Sequence, residues 1–115
     1  MFSFSLGTDL RVWDPILPRI TEGLRIVRYD KRGHGLSDVP AAPYAMADLV
    51  GDAEAIADAL GLEDVCFVGL SIGGLIGQGL ALKRPDLIGS LVLMDTAAKI
   101  GTAPMWAERM AAIQA

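Results

Sequence analysis

Residues 69–74 read Gly-Leu-Ser-Ile-Gly-Gly, between the apolar run VCFV at 65–68 and the run LIGQGLALKR at 75–84. The pattern Gly-x-Ser-x-Gly places Ser71 between Gly69 and Gly73, at the junction of an expected strand and an expected helix. A serine there can act as a nucleophile, because a sharp strand-to-helix turn lifts its hydroxyl above the sheet. Gly69 and Gly73 are then needed because the chain approaches itself too closely for a side chain. The helix that follows aims free N–H groups at the same space and favours developing negative charge. A packing turn and an anion-binding loop remain the alternatives. A phosphate loop would carry further glycines or a Lys-Ser/Thr pair, and neither is present.

A nucleophile of this kind needs donors for the oxyanion that forms on its substrate. One is expected from the backbone N–H of Ile72, the residue after the serine. The other is expected from an earlier loop, SLGTD at 5–9, with Leu6 N–H as the candidate. The serine also needs a base to take its proton. The chain holds a single histidine, His34, and it precedes Ser71 in the loop RGHGLSD. Asp95, at the end of an apolar run, reads as a strand-end residue near the site, with an orienting acid as the alternative.

The elements that would position these residues alternate. Residues 24–29, 64–68 and 88–94 are apolar, β-rich runs, and MFSF at 1–4 reads as the tail of another strand. Met46, Leu49, Val50, Ala53, Ile56, Ala57 and Leu60 recur at helical spacing, with Gly61 placed to end that helix. Residues 74–84 read as a helix stopped near Pro85, and 104–115 as the start of another. Trp13, Ile16, Leu17 and Ile20 suggest a short first helix, with Asp14-Pro15 as its cap and first residue. Strands alternating with helices predict an α/β fold, a mostly parallel sheet with helices on both faces. The continuous apolar runs predict strands covered on both sides, with Cys66 packed inside one of them.

The whole composition agrees with an α/β domain: 115 residues, 52% hydrophobic, with mean hydropathy +0.41. Net charge is −4 and no basic patch stands out, so nucleic acid is not an expected partner. No apolar stretch is long enough to predict a membrane span, and no secretory signal is recognisable, which points to the cytoplasm. One cysteine leaves no internal disulfide.

Four segments together resemble the α/β-hydrolase superfamily and, more narrowly, the 3-oxoadipate enol-lactonases. They are SLGTD with Trp13 at 5–13, RYDKRGHGLSD at 28–38, GLSIGG at 69–74 and LVLMDTAAKIGT at 91–102. The RGHG loop and the serine turn are shared widely across the superfamily. SLGTD and DTAAKIGT carry the narrower likeness. The resemblance implies serine-dependent opening of an enol-lactone to 3-oxoadipate in aromatic catabolism, on a small-molecule substrate and with no metal or organic cofactor. It implies the chain order serine, acid, histidine, so His34 lies in the wrong place to be the base and reads as loop-structuring. The chain therefore reads as a partial α/β-hydrolase fold. Residues 1–103 would be an incomplete core and 104–115 the start of a cap or lid helix. The triad acid and histidine are expected outside these residues, and the chain alone is expected to be inactive. Phe4 departs from the polar residue that the superfamily carries at that point. Another esterase, a haloperoxidase-like hydrolase and a non-catalytic α/β domain are the competing readings. Oligomeric state is not legible.

Overall fold

The structure, a computed structural model, describes residues 1–20 and 22–115. Three strands form a parallel sheet in the order β1 (Phe2–Ser3), β2 (Val65–Leu70), β3 (Ile88–Met94). Helix α2 (Met46–Ala59) leads into β2, and helix α3 (Ile72–Lys83) connects β2 to β3. A short helix α1 (Leu17–Ile20) precedes them and α4 (Ala103–Gln114) follows.

Alternation along the strands sorts their side chains into two cores. Val65 and Phe67 point with Met1 and Tyr29 toward α2 and α3. There they pack on Leu49, Val50, Ala53, Ala57, Ile76 and Leu80. Val68 and Leu70 face the other way, onto a cluster of Phe2, Phe4 and Trp13 that also receives Leu10 and Leu17. Helical elements thus lie against both faces of the sheet. Helix α2 ends as its spacing predicts. Gly61 adopts φ 58°, a left-handed conformation that costs glycine little and closes a helix C-terminus. Its start is held by Asp48, whose carboxylate accepts from Ala45 N–H at 2.8 Å. Arg84 joins α3 to α2 through Asp58 at 3.1 Å and Glu54 at 3.4 Å.

Four expectations are corrected. Residues 24–29 are not a strand but an irregular segment joined to β1 by a single parallel bridge, Phe2 to Arg28. A ladder needs consecutive pairs, and β1 offers only two residues to pair with. The first helix does not start at Asp14-Pro15. A 3-10 turn at Leu10–Trp13 is capped by Asp9, which accepts from Arg11 N–H at 2.9 Å. Asp14 instead pairs with Arg28. The strands are not covered evenly, since Val92, Leu93 and Met94 of β3 are 43%, 46% and 38% exposed. Cys66 is exposed rather than packed. It points from β2 away from the α2–α3 core, opposite in sense to Val65 and Phe67. The apolar runs look alike in sequence on both faces, so composition alone could not reveal which face the described residues leave open.

Candidate active site

Ser71 occupies the single position between the end of β2 and the start of α3. Its backbone adopts φ 55°, ψ −117°, a conformation that costs a non-glycine residue on the order of 1–3 kcal/mol. Several contacts hold it there. Ser71 N–H donates to Met94 O of β3 at 2.9 Å. Ser71 C=O accepts from Gly74 N–H at 2.9 Å and from the Thr96 hydroxyl at 2.7 Å. A Cβ on Gly69 would overlap the carbonyl of Gly73, and a Cβ on Gly73 would overlap the carbonyl of Ser3 in β1. Backbone stands on the far side of both gaps, so neither can open by rotating a side chain. The turn is tight because β2, α3 and β1 meet there without side chains between them.

A cavity of about 340 Å³ opens at Ser71, walled by Leu6, Met46, Ile72, Leu75, Ile100 and Trp106. Met46 is the first residue of α2 and Trp106 lies in the first turns of α4, its indole N–H anchored on Ile100 O at 2.8 Å. The serine is the one hydroxyl side chain in an otherwise apolar wall. An adjoining hollow of about 600 Å³ shares Met46, Leu75, Ile100 and Trp106 and runs beside α3 to Leu82. A further hollow of about 430 Å³ lies by Asp64 and Val65, where β2 begins. Ligands of parallel sheets bind beyond the carboxyl ends of the strands, which is where Ser71 sits and that hollow does not.

Leu6 reaches the serine's cavity from the loop after β1, and Ile72 borders it from α3. Neither backbone N–H meets a backbone acceptor among the described residues. The loop carrying Leu6 is gripped by the segment 30–37. Asp30 accepts from Leu10 N–H at 2.9 Å and from Leu36 N–H at 3.1 Å. The Lys31 ammonium donates to Phe4 O at 2.7 Å and reaches Ser5 O at 3.4 Å. His34 Nδ1 meets Arg32 O at 3.1 Å, which makes it the protonated nitrogen and leaves Nε2 to accept from Gly7 N–H at 3.4 Å. Arg32 anchors the segment to α2 through paired 2.6 Å contacts with Asp52. Gly35 lies so close to the Asp30 carboxylate that a side chain there would displace it.

His34 is thus turned onto the 5–9 loop. Asp95 is exposed, at φ 43°, between the two β3-side residues that hold Ser71. Residues that sequence reasoning missed are Thr96, Lys31, Met46 and Trp106. Met46 reads as one more core position of α2, and the wall it forms becomes visible only when α2 is set beside α3. Lys31 sits between Asp30 and Arg32 in a run that looks solvated, and nothing local marks it as buried.

The family model for the alpha/beta hydrolase fold matches residues 5–113. The chain is 39% identical to 3-oxoadipate enol-lactonase 2 of Acinetobacter baylyi, over 95% of its own length and 41% of that protein's. The crystal structure of the enol-lactonase from Burkholderia xenovorans superposes with a TM-score of 0.92 at 41% identity, covering 98% of this chain and 44% of that one. A hydrolase from Pseudomonas aeruginosa superposes with the same TM-score of 0.92 at 48% identity, over 98% and 43%. The chain spans about two fifths of the length of the curated relatives it matches.

Proposed function

The chain belongs to the α/β-hydrolase fold family, and from that premise we propose that the whole protein hydrolyses a carboxylic ester or lactone through Ser71, with 3-oxoadipate enol-lactone as its substrate. The observation that carries the proposal is the strained Ser71, at φ 55°, set at the carboxyl end of β2 over an apolar cavity. The narrower choice of substrate rests on the enol-lactonase relatives.

Ser71 Oγ attacks the lactone carbonyl and gives its proton to the base. The carbonyl oxygen becomes negative and is met by the N–H groups of Leu6 and Ile72. Collapse breaks the ring C–O bond and releases an enolate, which takes up a proton while the acyl group stays on Ser71. Water then cleaves the acyl-serine bond, and the enol product tautomerises to the ketone. In the family the base is a histidine that follows the serine and acid in the chain. His34 precedes Ser71 and its Nε2 is taken by Gly7, so both catalytic partners of Ser71 are assigned to the length of the relatives that these residues do not span. Residues 1–103 serve as core, and 104–115 begin a cap that closes the cavity over Trp106.

The test is hydrolysis of the enol-lactone by the whole protein and by its Ser71→Ala variant. Turnover that disappears in a variant with unchanged melting supports the reading. Turnover that survives the substitution removes Ser71 from the chemistry. Loss of ester hydrolysis in the variant, with no lactone opened by either protein, keeps the serine and overturns the substrate.

A further inference from the structure

Lys31 is 2% exposed, yet among the described residues no carboxylate touches its ammonium group. Its Nζ lies 3.2 Å from the centroid of the Phe4 ring, 2.7 Å from Phe4 O and 3.4 Å from Ser5 O. A buried cation without a counter-ion costs stability, so a role confined to packing would be served better by an apolar residue of similar length. What it grips is informative. The short bond holds the Phe4–Ser5 peptide and the longer one reaches the next peptide, where the carbonyl of Ser5 and the N–H of Leu6 share one rigid, planar unit. Holding the oxygen fixes the direction of the N–H at the other end. In its protonated form the Lys31 side chain on the oxygen also draws electron density from the nitrogen and strengthens the N–H as a donor; as a neutral amine it still donates to the oxygen and holds the peptide. The next peptide, between Leu6 and Gly7, is held from its own N–H by His34 Nε2 at 3.4 Å. The peptide before Leu6 and the peptide after it are therefore anchored by residues of the same RGHG-bearing segment.

We propose that Lys31 is a positioning residue for the oxyanion site, fixing and polarising the Ser5–Leu6 peptide so that Leu6 N–H faces the oxygen that becomes negative during attack by Ser71. This rests on the reading of Ser71 as nucleophile. His34 completes the bracket, with its ring edge-on to the same Phe4 side chain at 5.7 Å. The bracket also gives a reason for Phe4, the departure noted in the sequence: an aromatic face can accept the ammonium where water is excluded.

The experiment compares the whole protein with Lys31→Met, which keeps length and removes charge, using enol-lactone and p-nitrophenyl acetate as probes. The expected result is a kcat lowered on the order of tenfold or more with KM little changed, since the interaction gains strength only as the oxyanion forms. The backbone order parameter of the Leu6 N–H should fall while those of α2 and α3 stay as they were. An unchanged kcat with an unchanged Leu6 order parameter overturns the proposal. Ser71→Ala is run beside it. Should that variant keep full activity, the nucleophile reading falls. Lys31 is then decided by the Leu6 order parameter alone, a lower value supporting the grip and an unchanged one overturning it. If Lys31→Met fails to fold, the unmodified protein gives the answer by NMR. The Leu6 amide shift should follow the titration of the Lys31 side chain. The ionisable groups facing Lys31 are Asp30, its neighbour, and His34, across the Phe4 ring. A Leu6 shift that follows the His34 ring signals instead overturns the assignment to Lys31.

Discussion

The hydroxyl of Thr96 donates to the main-chain carbonyl of Ser71 at 2.7 Å, from a residue just beyond the end of β3. The neighbouring strand residue Met94 accepts the Ser71 N–H at 2.9 Å. Both ends of the strained residue are thus held from β3, and the strain is sustained by a strand on which the serine does not lie. Thr96→Val removes the donor and keeps the shape. The carbonyl retains Gly74 N–H, so no buried acceptor is left bare. The expected loss of stability is about 1 kcal/mol, read by urea denaturation. Thr96→Ser should recover most of it. Equal stability of Thr96→Val and the unmodified protein would show that the hydrogen bond does not help to hold Ser71.

The glycines of the turn allow a paired comparison. A methyl group at position 73 would run into the Ser3 carbonyl, which β1 holds in the sheet. At position 51, inside α2, a methyl group meets nothing within 4 Å. Gly73→Ala is expected to destabilise by about 1–3 kcal/mol or more, because backbone must shift to admit it. Gly51→Ala is expected to stabilise by roughly 0.5–1 kcal/mol through helix propensity. Denaturant midpoints of the two variants should move in opposite directions. A Gly73→Ala variant as stable as its parent would mean that α3 can move off β1 freely.

Helices α2 and α3 and strands β2 and β3 were legible because hydrophobic periodicity is a local signal and each had a clear one. Strand β3 was read at 88–94, the bounds it has in the structure. Residues 24–29 show the limit of that signal. Leu24, Ile26 and Val27 have a strand's composition, but a strand is made by its partner, and β1 supplies only Phe2 and Ser3. Cys66 shows the same limit on one residue, since burial depends on what covers a face. At the candidate site, Ser71 was visible through its glycines, which record a close approach directly in residue type. Thr96 and Lys31 were not. Each acts on backbone carbonyls far from it in the chain, and a carbonyl leaves no trace in the sequence.

Burial also gives Lys31 a signature in stability. Desolvation pushes its pKa down from 10.5 to about 7, with Asp30 opposing in part. Below about pH 7 the folded and unfolded chains both carry the proton, and the buried charge weighs on the fold by a constant amount. Between about 7 and 10.5 the folded protein has shed a proton that the unfolded chain still binds. Stability must then rise with pH across that window, by at most about 1.4 kcal/mol per pH unit from this one group. Above 10.5 both states are neutral and the gain is complete; it is lost again as pH falls toward 7. Lys31→Met has no proton to exchange. Its stability relative to the unmodified protein should therefore be highest at pH 7 and fall steadily toward pH 10. Other groups that titrate in this range are common to both proteins and cancel in the difference. Chemical denaturation of the pair at pH 7, 8, 9 and 10 measures it. A difference that stays constant with pH would mean that Lys31 keeps an ordinary lysine pKa, and that water reaches its ammonium group despite the Phe4 ring above it.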